Sequence, residues 1–290
     1  ATAAGVLAAL VLAASVLVTA RSSGAIVVGS KNFTEQLILG EIVAQAIERE
    51  TGLPVRRQLN LGGTLICDRA LRSGDIDVYV EYTGTALTTV FHRPPSNDRE
   101  SVMATVRRLY ADSGSTLLPP LGFDNTFAIL VRGSDARGEG LRTIEDAARV
   151  APQWRAGFGY EFLERPDGYR GLAKAYGLAF RGPPQAMDLT LTYRALASGQ
   201  VDLIAGDATA GLIKSLDLFQ LEDNRRYFPP YDAVPVARAS VLLRYPRVRA
   251  ALERLAHRIS AADMREMNHA ADAERENPDE IARRFLDGRH

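Results

Sequence analysis

Six aromatic, cationic and hydroxyl side chains could together hold a small molecule that carries both charge signs. They fall at predicted strand ends, at helix starts or in connecting segments: Lys31, Tyr82, Thr85, Phe127, Arg165 and Tyr231. An aromatic face attracts a quaternary ammonium by about 0.5–2 kcal/mol per ring, and an arginine can hold a carboxylate through two N–H···O bonds. The set predicts a zwitterion site, although taken singly Phe127 also fits a core position and Lys31 a solvated charge.

Bond-breaking chemistry is not indicated. The histidines, at positions 92, 257, 269 and 290, lack metal-site spacing, and no G-x-S-x-G elbow or Walker loop occurs. The single cysteine, Cys67, cannot form an intrachain disulfide and lies on an apolar helical pattern, which predicts a buried, inert thiol. We therefore expect a protein that is not an enzyme, with no catalytic residues, no metal and no cofactor.

One segment pattern occurs twice at a constant offset of 125 residues. Residues 70–87 and 195–212 each read as a helix end, a Ser-Gly stop, a strand and a polar loop. The repeat predicts two α/β lobes built alike, although any two αβ units share some of this likeness. Loops at the carboxyl ends of parallel strands bind ligands in such folds. Tyr82–Thr85 and Asp207–Thr209 are therefore expected to face each other across a cleft.

Three local structures are predicted around these segments. Asn32 and Glu35 have capping-box spacing at the start of a helix that runs to about residue 50. Asp207 precedes residues 209–216, where it would cap a helix, and whether it also contacts a ligand is left open. A strand is expected at Leu117–Leu121.

Length, charge and the amino-terminal segment limit the class of protein. A chain of 290 residues with 46% hydrophobic residues suits two packed lobes. Its formal charge of +0 argues against a nucleic-acid partner. Residues 1–20 are apolar and uncharged, which predicts a membrane-directed segment, assigned here to 1–23. A signal peptide and the last span of a fused membrane protein fit equally, and both place the remainder outside the cytoplasm.

Five ordered motifs resemble the glycine betaine/choline/carnitine-binding proteins of osmoprotectant ABC importers. They are residues 29–36 (GSKNFTEQ), 61–64 (LGGT), 77–85 (DVYVEYTGT), 162–168 (FLERPDG) and 228–231 (FPPY). The resemblance covers residue 26 to the end. It implies an α/β, two-lobed periplasmic-binding-protein fold of type II, with the ligand cleft between the lobes. Lobe 1 would comprise residues 24–125 and 232–290, and lobe 2 residues 126–231.

The resemblance also implies roles for the site residues. Lys31, Thr85 and Arg165 would hold a carboxylate, while Tyr82 and Tyr231 would form two walls of a box around a trimethylammonium group.

Two positions depart from the family pattern. Phe127 stands where tyrosine is common, so the ring face is kept and the hydroxyl is lost. Ala208 follows Asp207 where many members carry tyrosine, which removes a wall of the box. The loss would weaken the binding of simple betaines or leave room for a larger one such as ergothioneine.

The resemblance implies an extracytoplasmic substrate-binding component of an ABC importer for osmoprotectant uptake. The protein would bind a small betaine-like zwitterion and present it to a membrane permease, separate or fused, that works with an ATPase. We expect a monomer, tethered through residues 1–20 if the permease is fused. Binding of a larger betaine, or a ligand-sensing role on the same fold, are the alternatives.

Overall fold

The computed structural model describes residues 24–288, which form two five-stranded sheets flanked by helices. The predicted membrane-directed segment lies outside this range, so its assignment stays a prediction. Among the described residues, no helix combines the length and apolar character that crossing a membrane requires.

The strands of the described residues are short and mostly buried. In chain order they are β1 (Ile26–Lys31), β2 (Val55–Gly62), β3 (Val78–Tyr82), β4 (Ser115–Leu117), β5 (Phe127–Arg132), β6 (Ala156–Gly159), β7 (Gln185–Met187), β8 (Leu203–Asp207), β9 (Leu218–Leu221) and β10 (Ala233–Arg238).

Helices connect and cover these strands. They are α1 (Thr34–Thr51), α2 (Thr64–Ser73), α3 (Arg99–Asp112), α4 (Gly133–Glu139), α5 (Ile144–Val150), α6 (Tyr160–Glu164), α7 (Tyr169–Tyr176), α8 (Leu189–Ala197), α9 (Leu212–Ser215), α10 (Ala239–Arg244), α11 (Pro246–Glu253), α12 (Ala261–Asp272) and α13 (Pro278–Leu286). A helical turn at Thr83–Thr85 continues into a π-helical segment, Ala86–Val90, and a 3₁₀ turn occupies Ala151–Gln153.

The two sheets have the same strand arrangement. Their orders are β2-β1-β3-β10-β4 and β7-β6-β8-β5-β9. In each, three parallel strands are followed by an antiparallel fourth, β10 or β5. The repeated segments supply equivalent parts, because α2 and α8 both end before a left-handed glycine, Gly74 (φ 82°) or Gly199 (φ 72°), that leads to the central strand. The prediction of two similar α/β lobes is confirmed.

The chain crosses between the sheets twice. It leaves the first sheet after β4 and enters the second at β5, then returns between β9 and β10. The first lobe is therefore assembled from both ends of the described chain. The proposed lobe boundaries lie in these crossings, one near residue 125 in the first and one near residue 231 in the second. Their exact positions stay a prediction.

The predicted strand at Leu117–Leu121 is wrong in its extent. Strand β4 ends at Leu117, although the N–H groups of Leu118 and Leu121 still donate to carbonyls of the β10 strand. Pro119 and Pro120 lie between them and have no N–H to donate, so the regular ladder stops there.

Both predicted helix caps are also wrong. Phe33 precedes α1 without a side-chain cap, because the Glu35 carboxylate points into the protein and is bonded elsewhere. Helix α9 begins only at Leu212 after Gly211, so Asp207 does not cap it. The buried thiol is confirmed: Cys67 is 0% exposed, and burial raises its pKa to about 12.

Candidate ligand-binding site

A cavity of about 370 Å³ lies between the two lobes. All seven residues singled out in the sequence border it: Lys31, Tyr82 and Thr85 from the first lobe, Phe127, Arg165 and Asp207 from the second, and Tyr231 from the return segment. Lys31, Tyr82 and Asp207 are the last residues of β1, β3 and β8, so parallel strands of both sheets deliver side chains to the same space. The expected meeting of Tyr82 and Thr85 with Asp207 is found here.

Lys31 is a buried cation and not a solvated one, since only 3% of its surface is exposed. Its ammonium forms a salt bridge with the fully buried Glu81 and lies 4.8 Å from the ring centroid of Tyr82. The Glu81 carboxylate also accepts from the backbone N–H of Tyr82 at 2.7 Å and from the Tyr79 hydroxyl at 3.3 Å. The charge of Lys31 is therefore balanced by the protein. Sequence reasoning missed Glu81, although it precedes Tyr82 in the motif.

Arg165 also has a buried carboxylate partner. Its Nε and Nη2 atoms donate to the two Asp167 oxygens at 2.8 and 2.7 Å, and Nη1 donates to the Thr85 hydroxyl at 3.1 Å. Burial alone would raise the pKa of Asp167, but hydrogen bonds from Arg165 and from the Tyr231 hydroxyl outweigh burial and lower it. Arg165 thus makes to Asp167 the pair of hydrogen bonds that was expected for a ligand carboxylate. Arg165 instead links the second lobe to the first.

Aromatic rings form one side of the cavity. The Phe127 ring lies 4.8 Å from that of Phe162 and 5.5 Å from that of Tyr231, centroid to centroid. Phe33 stacks on Tyr82 at 6.5 Å with an angle of 23° between the rings. Phe33 and Phe162 border the cavity and were missed as wall residues, because nothing in their spacing separates a wall ring from a core ring.

Ala208 lies away from this wall. It packs against the apolar cluster of the second lobe and does not border the cavity. That a family tyrosine is missing at position 208 stays a prediction.

A carboxylate outside the predicted set joins the lobes beside the cavity. Glu35, on α1, is 3% exposed. It accepts from the Tyr82 hydroxyl at 2.5 Å, the Asn125 amide at 3.0 Å, the Asn268 amide at 3.1 Å and the Thr209 hydroxyl. Burial raises the pKa of Glu35, and these four hydrogen bonds oppose the rise. Because its partners come from both lobes and the first crossing, Glu35 ties together segments far apart in sequence.

Asp207 differs from the other acidic groups of the site. Its backbone N–H donates to the Tyr193 hydroxyl at 2.8 Å, which positions the end of β8. Within residues 24–288, no hydrogen bond to its side-chain carboxylate is found. Burial and the negative charge of Glu35 raise its pKa to about 7, and Lys31 opposes them.

Two α/β lobes that enclose a cavity of rings and balanced charges define a two-lobed solute-binding protein. The chain belongs to the family described as the substrate binding domain of the ABC-type glycine betaine transport system, whose model matches residues 24–288. Its role is accordingly that of the substrate-binding domain of an ABC-type transport system.

Named relatives show the range of ligands in this family. The carnitine transport binding protein OpuCC of Listeria monocytogenes is 32% identical over 268 residues, covering 91% of this chain and 87% of that protein. The ergothioneine transport permease/ergothioneine binding protein EgtU of Helicobacter pylori (strain G27) is 32% identical over 264 residues, covering 90% of this chain and 47% of that protein.

The fold is shared with a solved structure. The crystal structure of a glycine betaine/carnitine/choline ABC transporter protein superposes with a TM-score of 0.78 at 30% identity, covering 91% of this chain and 98% of that one. The expected type II periplasmic-binding-protein fold is confirmed.

Replacing Glu35 by glutamine is expected to destabilise the protein. Glutamine offers one acceptor oxygen in place of two, and its amide N–H₂ would face donors. Leaving buried donors unpaired costs about 1–3 kcal/mol, so the free energy of unfolding measured with urea should fall by that amount. The exposed Glu139→Gln is the control and should change nothing. A loss no larger than the control's would contradict the role of this network.

Proposed function

We propose that this chain is the extracytoplasmic component of an ABC importer that binds a betaine-like quaternary ammonium zwitterion between its lobes. The carrying observation is the cavity between the lobes, where rings and cations from both lobes converge. The ligand would be bound without chemical change. Its partners would be a membrane permease and the ATPase that drives it, and the chain would act as a monomer, tethered through residues 1–20 if the permease is fused.

The ammonium end would lie against the rings of Tyr82, Phe127 and Tyr231. Such a group keeps a full charge but has no N–H, so it gains nothing from hydrogen-bond acceptors and is held by ring faces. Tyr82 and Tyr231 are 5% and 2% exposed, because protein groups cover most of both rings. A ligand would reach only the parts of these rings that border the cavity.

The carboxylate end would lie near Arg165, Thr85 and Lys31. Four of the five N–H bonds of Arg165 are directed at Asp167, Thr85 and Thr88, which leaves one on Nη1. A ligand carboxylate could accept from this N–H and from the Thr85 hydroxyl. Because these groups belong to different lobes, a ligand bound to both favours the closed form, as a closure mechanism requires.

Cavity size supports more than one ligand. A volume of about 370 Å³ lies in the lower part of the range of about 300–1,000 Å³ typical of small-molecule pockets. Glycine betaine would leave part of this space unfilled. A larger betaine is therefore the second candidate, and ergothioneine is the ligand named for the EgtU relative.

Titration calorimetry against five compounds tests the proposal. Glycine betaine, choline, carnitine, proline betaine and ergothioneine would each be added to the ligand-free protein, and at least one should bind with a measurable Kd. The absence of binding heat with all five would contradict the proposed ligand class.

Removing one ring should weaken binding of the best ligand of the five. Phe127→Leu is expected to raise its Kd by about 2- to 30-fold, because one ring contributes about 0.5–2 kcal/mol. Phe127→Tyr keeps the ring face and should bind almost as the parent does. Phe219→Leu, on β9 and outside the cavity wall, is the matched control with unchanged Kd. Equal Kd values for both leucine variants would exclude Phe127 from the site.

Closure can be tested at Gly211, where the lobes meet backbone to backbone. A Cβ at this position would lie 2.3 Å from the backbone nitrogen of His269 on α12. The φ of −63° suits alanine, so Gly211→Ala removes only the clearance between the lobes. Overpacking costs about 1–3 kcal/mol, so the Kd of the best ligand should rise about fivefold or more.

Gly138→Ala is the control for this variant, because no atom lies within 4 Å of the added methyl group. Parent-like affinity in Gly211→Ala would mean that the bound form does not bring these two backbones together.

A further inference from the structure

The acidic side chains around the cavity differ in whether they have a salt-bridge or hydrogen-bond partner. Glu81 and Asp167 form salt bridges with Lys31 and Arg165. Asp207 is half-buried, borders the cavity and has no hydrogen-bond donor at its carboxylate among residues 24–288. Once a ligand displaces water from the cavity, a carboxylate left there without a partner is costly. The missing partner is thus a group that enters the cavity.

A second acceptor beside the same cavity also lacks a donor. Asn125 borders it, and its Nδ2 donates to Glu35 at 3.0 Å, which directs Oδ1 the other way. That Oδ1 is buried and finds no hydrogen-bond partner within the described part of the chain. Two residues that border the cavity therefore carry acceptor oxygens without donors, while its two cations, Lys31 and Arg165, are already paired.

The surroundings of Asp207 supply no compensating proton. The charged groups that act on it are Glu35 on α1, Lys31 on β1, Glu161 on α6 and Asp272 on α12. Three of these four are acidic, and the ammonium of Lys31 is held by Glu81. Thr190 also borders this cavity, but its hydroxyl donates to Asp188 at 2.6 Å. A ligand group that bonds to Asp207 must therefore carry its own N–H or O–H.

We propose that Asp207 is the specificity-determining residue of the site and accepts a hydrogen bond from an N–H or O–H group of the ligand. The inference rests on the proposed function, because the rings and Arg165 would hold the ammonium and carboxylate. It narrows the substrate class to betaines that carry a third polar group, such as a hydroxyl or a ring N–H. A bound betaine without such a donor would cover the Asp207 carboxylate and leave it unpaired, which costs more affinity than an unfilled apolar volume does.

The test compares ligands with and without a donor in parent, Asp207→Asn and Asp207→Ala. Carnitine and ergothioneine carry a donor, whereas glycine betaine and proline betaine do not. In the parent, at least one donor-bearing compound should bind about 10-fold or more tightly than glycine betaine, as a hydrogen bond to a charged group permits. Asp207→Ala should remove that advantage and leave the Kd of glycine betaine unchanged or lower.

A pH series separates the carboxylate from its amide analogue. Below its pKa of about 7, Asp207 holds a proton and is a weaker acceptor, so the affinity of the donor-bearing ligand should rise toward that pH and level off above it. Glu35 lies close to Asp207 and its pKa is also raised, so Asp207→Asn provides the control: the affinity of this variant should depend less on pH than the parent's. An equally steep profile in Asp207→Asn would overturn the inference.

The outcomes show separately whether the role of Asp207 fails or the proposed function fails. If the quaternary ammonium compounds bind but Asp207→Ala weakens donor-bearing and donor-free ligands by the same factor, or changes neither, the role of Asp207 is overturned and the proposed function stands. If none of the compounds binds to the parent, both are overturned.

Discussion

Neutralisation of buried charge is the constraint on which the cleft depends. Lys31 and Arg165 border the cavity and are only 3% and 8% exposed, and each is held by a carboxylate of its own lobe. A single buried ion without its partner would cost several kcal/mol. The protein therefore balances both cations itself, so they are held in position whether or not a ligand is present. In the proposed function they would orient a ligand and donate hydrogen bonds to it while adding little net charge.

This arrangement explains why the rings carry so much of the proposed binding. A quaternary ammonium needs an apolar surface with negative ring faces and does not need a free carboxylate. Phe127 contacts Phe162, Phe228 and Tyr231, so its position is set by other rings and not by the ligand. A rigid wall loses little side-chain freedom when a ligand arrives, which favours affinity.

Contact between the lobes depends on a different buried carboxylate, that of Glu35. Glu35 collects donors from β3, the first crossing, the β8–α9 loop and α12, and Gly211 meets α12 close by. A polar network of this kind holds its members in one arrangement only when every member is satisfied, which makes it sensitive to small displacements. The negative charge of Glu35 also helps to raise the pKa of Asp207, so the carboxylate that joins the lobes acts on the one that borders the cavity.

The sequence by itself determined the two-lobed α/β fold and the set of seven cavity residues, because helix stops, strand runs and short motifs are local patterns. It placed Tyr82 and Asp207 on matching loops, and the sheets bring both to one cavity. Only the tertiary structure decided the partners of these residues. Asp167 forms a salt bridge with Arg165, and Glu81 forms one with Lys31. Glu35, which was expected to take part in a helix cap, joins the two lobes instead. Glu35 and Thr209 are 174 residues apart, and a contact over such a separation leaves no spacing signal, because it exists only after both sheets have folded and met.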